Sequence, residues 1–160
     1  MSCRMIAFHV NARSAGFNLL ELMVVLSFVA LLVAIAVPSY KQYVDRARIS
    51  RAIGEISTLD IEIERFRLKN QDRIPNSLIE LGTGITIDPW GRPYQFLNIQ
   101  LVKGKGPLRK DGKLNPLNTD YDLYSIGKDG QTATPLSAKA SRDDIVRANN
   151  GAFVGLGEEY

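Results

Sequence analysis

The sequence predicts an α+β fold: a long N-terminal α-helix, transmembrane in its first half, packed against a small antiparallel β-sheet. Three observations predict it. Residues 17–37 form an apolar run with a single charge. Residues 49–66 carry apolar side chains at helical spacing. From Asn70 onward, short apolar runs alternate with Gly, Pro, Asn and Asp. A long helix followed by short strands that cover its apolar stripe is the α+β arrangement.

The first element reads FNLLELMVVLSFVALLVAIAV, 21 residues in which Glu21 is the only charge. At ~1.5 Å per residue it spans roughly 30 Å, the thickness of a bilayer core. A buried core helix is one alternative, but this run is apolar on all faces, which a small domain cannot cover. A conventional secretory signal is another. Its apolar region is shorter, about 7–15 residues, and is followed by the small residues of the cut site. Here the small residue, Gly16, precedes the run, so a cut after it leaves the apolar segment on the mature chain. Arg4 and Arg13 lie before the span, whereas Lys41, Arg46 and Arg48 lie after it. The leader is placed in the cytoplasm, because positive residues favour that side and translocated domains move largely regardless of charge.

A carboxylate inside a span costs a few kcal/mol and is usually paired or functional. Glu21 reaches the headgroups in a monomer; in an assembly its expected partner is a cation. The nearest one made by the cut itself is the free amine of Phe17 in a neighbouring subunit.

The 160 residues suit one domain. The only cysteine, Cys3, and the only histidine, His9, both precede the proposed cut. A chain starting at Phe17 has neither, which excludes disulfides, Cys/His zinc sites and Cys- or His-based catalysis. Without Arg4 and Arg13 it holds 18 basic and 17 acidic residues, a net +1 that gives no reason to expect nucleic acid.

After the span comes Pro38. Ile49, Ile53, Ile56, Leu59, Ile63 and Phe66 then follow at spacings of 4, 3, 3, 4 and 3, one face of a helix. One helix over residues 18–69 is predicted, with Pro38 and Gly54 as its weak points. Pro38 removes a backbone donor and is expected to kink or locally melt it. The expected organisation is a cleaved leader at 1–16, a transmembrane half at 17–37, an amphipathic half at 38–69 and a globular α+β region at 70–160. Within that region, residues 74–82 read as a turn, a short helix begun near Asn76 or Ser77 and a glycine stop. Residues 88–93 are a turn around Trp90, read as a core anchor. Residues 94–101, 121–126 and 151–156 read as strands, and 127–130 as a turn. The cations Lys103, Lys105, Arg109, Lys110 and Lys113 read as a solvated hairpin tip; no aromatic residues interleave them, as single-stranded nucleic acid would want. Residues 132–141 read as a surface loop.

Gly16-Phe17-Asn18-Leu19-Leu20-Glu21-Leu22 resembles the signal of type IV pilins and pseudopilins: Gly before the cut, Phe after it and Glu as the fifth mature residue. Asn18 stands where the family usually has Thr. Two further motifs, DPWGRPYQFLN at 88–98 and DLYSIGKDG at 122–130, resemble the major pseudopilin (pseudopilin G) of the type II secretion system. Residues 103–116 look like an insertion between those motifs, and residues 141–160 differ from the family's short tail.

The resemblance implies a structural subunit rather than an enzyme. A prepilin peptidase would cut after Gly16 and methylate the Phe17 amine. Glu21 and Pro38 would serve assembly, with local unwinding at Pro38 as subunits pack. The partners implied are further copies of the chain, minor pseudopilins, the inner-membrane assembly platform with its ATPase, and membrane lipid. The location implied is the bacterial inner membrane, single-pass, N-terminus cytoplasmic and globular region periplasmic. A subunit of a type IV pilus or DNA-uptake filament is the alternative, although a mature chain without cysteine lacks the common pilin disulfide loop.

The resemblance also implies a calcium ion, with Asp129 of the G-x-D-G turn and Asp143 and Asp144 beyond it as ligands. Calcium needs six to eight oxygens, to which these carboxylates and nearby carbonyls would contribute. On the other reading Asp129 is an ordinary turn residue, and Asp143 and Asp144 cap a short helix, DDIVRANN.

Overall fold

The computed structural model describes Gly16, residues 18–84 and residues 87–160. Phe17 and the leader residues 1–15 lie outside the described residues. The chain divides into two compact units at the Gln42–Tyr43 bond. The helix α1, Leu19–Lys69, contributes to both.

In the first unit Asn18 begins α1. The Leu20 N–H donates to its side-chain oxygen at 3.3 Å and the Leu22 N–H to its carbonyl at 3.1 Å. Asparagine is among the best residues for this place, because it satisfies an N–H with no partner inside the helix. The Ser27 and Ser39 hydroxyls donate to the carbonyls of Met23 and Ile35, at 2.8 and 3.0 Å. The polar groups of both serines are thereby turned onto the helix itself, as a lipid environment requires. The helix is continuous through Pro38 and Gly54. The local melting expected at Pro38 is therefore absent from the single chain; proline removes one N–H, and the helical bonds on either side of it persist.

In the second unit α1 presents Ala52, Ile56, Leu59 and Ile63, all fully buried, with Ile49 and Ile53 at the flank. Ala52 is the smallest side chain of this buried stripe. Phe66 closes the stripe at the edge, with the Arg73 guanidinium 4.8 Å from its ring centre. The exposed pairs Arg51–Glu55, Arg65–Glu62 and Arg67–Glu64 join residues three or four apart. Pairs at this spacing on a helix surface interact only weakly.

The sheet is an antiparallel meander of β1 (Gln95–Asn98), β2 (Tyr121–Ser125), β3 (Ile145–Ala148) and β4 (Phe153–Leu156) in that spatial order. Phe96 lies opposite Leu123, and Val146 opposite both Tyr124 and Gly155. Side chains alternate between its faces. Tyr121, Leu123 and Ile145 meet the helix, together with Tyr94 and the half-buried Trp90, which serves the core as expected. Val146, Ala148 and Tyr124 form a second cluster with Leu117 and Leu136. The sheet is thus covered on both faces.

That second layer corrects three expectations. Residues 103–116 are not only a solvated tip: Leu108 and Arg109 are buried, as are Leu117 and Asn118 just beyond, although Lys103, Lys105 and Lys113 remain exposed. Residues 132–141 are not only a surface loop. Leu136 and Ser141 are buried, and Lys110 and Leu136 bond across to the facing segment. The stretch after Asp143 and Asp144 is the strand β3 rather than a helix, because all four of its residues are buried between two layers. The short helix is present as a 3-10 turn, Leu78–Leu81, ended by Gly82 at φ +66°. The first expected strand stops at Asn98, whose side chain accepts from the Gln100 N–H and starts a 3-10 turn.

A buried arginine ties helix to sheet. Arg147 on β3 grips Asp120 with two N–H groups, at 2.8 and 2.9 Å, and donates its Nε to Asp60 on α1. Its guanidinium lies 4.0 Å from the centre of the Tyr121 ring, and the Tyr121 hydroxyl donates to the same Asp60 oxygen at 2.5 Å. Tyr94 makes a parallel tie, donating to Glu55 at 2.6 Å.

Burial, and then the hydrogen bonds to Asp60 and Glu55, push the Tyr121 and Tyr94 hydroxyls well above the ordinary phenol range. The folded chain keeps these protons after the unfolded chain loses them at about pH 10. Stability present below that pH therefore falls as pH rises, by up to roughly 1.4 kcal/mol per pH unit for each tyrosine. Full-length chain in detergent should melt progressively lower above pH 10, and Tyr121→Phe should flatten that slope; equal slopes in the two proteins refute the assignment. Separately, Ala52→Leu should cost about 1–3 kcal/mol by forcing helix and sheet apart. Denaturant unfolding reads this as a lower midpoint, and an unchanged midpoint means that the contact tolerates the added volume.

Candidate functional site

The candidate site begins at the first turn of α1. Gly16 is exposed, and a Cβ built there meets nothing within 4 Å among the described residues. Phe17, the expected new N-terminus, lies outside the described residues. Glu21 is in the first turn, where the partial positive charge of the helix end favours a carboxylate. Among the described residues it makes no hydrogen bond or ion pair. Around it, the large apolar side chains from Leu19 to Val37 are 45 to 74% exposed. An apolar surface of that extent is not sustained by a soluble monomer. The helix is long and apolar enough to cross a membrane. Pro38 lies at the far end of this run, within the unbroken helix.

The two downstream motifs form one joint. Asp88 accepts the Trp90 and Arg92 N–H groups through one oxygen, at 3.0 and 2.8 Å, and the Ser125 hydroxyl through the other, at 2.5 Å. Arg92 in turn donates to the Gly127 carbonyl at 2.6 Å. A Cβ on Gly130 would lie 2.6 Å from the Arg92 guanidinium carbon, and one on Gly127 would lie 2.2 Å from the Asp143 carbonyl oxygen. Both glycines also have φ above +60°, so the turn accepts no larger residue. Lys128 reaches from it to Asp45 on α1 at 2.6 Å.

Among the described residues, the three aspartates considered for calcium do not form a common group of ligands. The Asp129 N–H donates to Asp143 at 2.9 Å, and an Asp129 oxygen accepts the Gln131 N–H at 2.7 Å. Asp144 is fully buried and accepts from Arg109 Nη2 at 2.5 Å and from the Thr132 hydroxyl at 2.6 Å, all on one oxygen. Its other oxygen has no protein partner. Each of the three carboxylates already accepts a hydrogen bond on one oxygen, and together they would supply only part of a calcium shell. Among the described residues, no group of three or more His, Cys, Asp or Glu side chains is placed to hold a metal. The residues present do not fit the ion.

The sequence did not single out Asp60, Asp120 and Arg147, nor the roles of Arg92 and Arg109. Asp88 and Ser125 lie within the quoted motifs, but their mutual bond is long-range. Asn18 was noted only as a departure, and its preference for helix starts was the signal available.

Comparison with known proteins follows the same lines. A fimbrial protein of Pseudomonas aeruginosa is 36% identical, over 86% of this chain and 82% of its own length. A fimbrial protein of Neisseria meningitidis is 30% identical, over 88% and 83%. A type II secretion system core protein G, also of Pseudomonas aeruginosa, is 28% identical, over 74% and 87%. No family model matches the chain, and no solved structure matches it. An exposed apolar helix with one carboxylate, an antiparallel sheet over that helix's second half and relatives aligned over most of both lengths lead to one statement: the chain belongs to the type IV pilin-like family, which unites fimbrial proteins with the pseudopilins of type II secretion.

Proposed function

We propose that the chain is a major pseudopilin-like structural subunit, processed by prepilin peptidase and polymerised into a periplasmic filament for type II secretion. The observation that carries this reading is the exposed apolar run of α1 with Glu21 in its first turn, without a partner among the described residues. Such a surface is stable in only two settings, lipid and a bundle of like helices. The subunit is held in the inner membrane by this helix, leader side cytoplasmic and globular unit periplasmic. Removal of the leader after Gly16 exposes the Phe17 amine, which the peptidase methylates. A charge in hydrocarbon costs a few kcal/mol, and a neighbour's amine beside Glu21 offsets that cost on assembly. The globular units then face outward. Pro38 is the place where the helix yields during packing, since one backbone bond is already missing there.

The open space at Gly16 among the described residues agrees with a role in recognition by a peptidase. The interlocked motifs at 88–98 and 122–130 support the secretion filament in particular. The relatives are a secretion-system core protein and fimbrial proteins by name, not enzymes. Further copies of the chain, minor pseudopilins, the assembly platform and its ATPase are the partners of this reading.

The higher identity to a fimbrial protein favours a second reading, a subunit of a surface pilus. Filaments seen by microscopy on cells at native expression would select it; their absence, with loss of secretion on deletion of the chain, selects the first.

Glu21→Ala should leave cleavage intact and reduce filament yield at least tenfold. Mass spectrometry of the membrane fraction reads the first, as a mature chain starting at methylated Phe17. Sheared or crosslinked filament reads the second, and a normal yield would remove Glu21 from the mechanism.

A further inference from the structure

The segment that looks like an insertion, residues 103–116, places one of its cations where no solvent-facing reading puts it. Arg109 is 3% exposed and Asp144 is fully buried, and they meet at 2.5 Å. Thr132 bridges the pair, accepting from Arg109 Nη1 at 2.8 Å and donating to Asp144 at 2.6 Å. The guanidinium also stacks on Tyr124, 4.1 Å from the ring centre. The Arg109 main chain is fixed as well: its N–H donates to the buried Asp122 at 2.9 Å, and its carbonyl accepts from Leu117 at 2.7 Å.

Around this residue gather the outer face of β2, the residues just before β3 and the segment 130–141 that covers this side of the sheet. A buried carboxylate there needs a cation, because its ionised form is expensive without one. Nothing else among the described residues meets the Asp144 carboxylate with a positive charge.

We propose that Arg109 is a built-in cation that replaces a bound divalent metal in organising the C-terminal third of this chain, so that the region folds without calcium. The planar fork of the guanidinium suits the task, since it gives the carboxylate and the hydroxyl separate donors while its face rests on an aromatic ring. The basic segment is then the carrier of this cation. Lys103, Lys105 and Lys113 stay exposed, whereas Arg109 has a site to fill.

The test uses the full-length chain in detergent, with thermal unfolding followed by circular dichroism in chelator and in millimolar calcium chloride. The expected result is the same melting temperature in both. A rise of several degrees with calcium overturns the proposal. Arg109→Met should lower the melting temperature by roughly 10 °C, as expected when a buried pair loses one partner. So that an unstable single variant does not end the test, Arg109→Met with Asp144→Leu completes the set. Removing both charges should recover most of the loss, whereas a double variant no more stable than the single one overturns the pairing. Filament yield is not read in these measurements, so their outcome is independent of the assembly reading.

Discussion

Arg147 is the point on which the globular unit depends. One guanidinium holds Asp60 of the helix and Asp120 at the start of β2, and rests on Tyr121. A buried charge is tolerated only when its donors are satisfied, and truncating either side of such a pair leaves the other exposed to the low-dielectric interior. The helix phase that buries Ala52, Ile56, Leu59 and Ile63 is the same phase that brings Asp60 to Arg147. Hydrophobic packing therefore sets how closely helix and sheet approach, and the ionic contact sets where along the helix they meet. Gly151 shows the crowding, since a Cβ there would lie 3.1 Å from an Asp60 oxygen.

The sheet is built around three arginines with different duties. Arg92 joins two turns through their carbonyls, Arg109 joins the outer layer to the edge of β3, and Arg147 joins the inner face to α1. In each case the planar, multiply donating head group reaches across chain segments distant in sequence. The strands are only four or five residues long, too short to specify their own assembly. Polar ties of this kind add specificity to a core that hydrophobic contact alone would define loosely.

The apolar span, the helix that follows it and the glycine and proline turns were legible because each leaves a local pattern. The helix stripe was legible in period but not in centre. Ala52 carries little hydrophobic weight in a sequence, yet it lies fully buried in the core. β3 was hidden for two reasons. Burial on both faces erases the alternation that marks a strand, and the Asp143–Asp144 pair before it imitates a helix start. Arg109 was hidden because nothing local separates it from Lys110. The difference lies in Asp144 and Thr132, more than twenty residues away. At the candidate site the placing of Glu21 was readable from one charge in an apolar run, whereas its lack of a partner among the described residues needed coordinates.

The lone carboxylate in the first turn of α1 also has a bearing on how such helices align lengthwise. Leucine, valine and isoleucine side chains slide past one another with little preference, because lipid tails are as apolar as they are. Side-chain packing alone would leave neighbouring spans free to settle at several heights. A slip of one helical turn is about 5.4 Å, enough to carry an ionic partner out of reach. On the proposed reading, one charge per span would work as an index mark: in a uniform apolar cylinder, it would make a single axial offset cheaper than the rest.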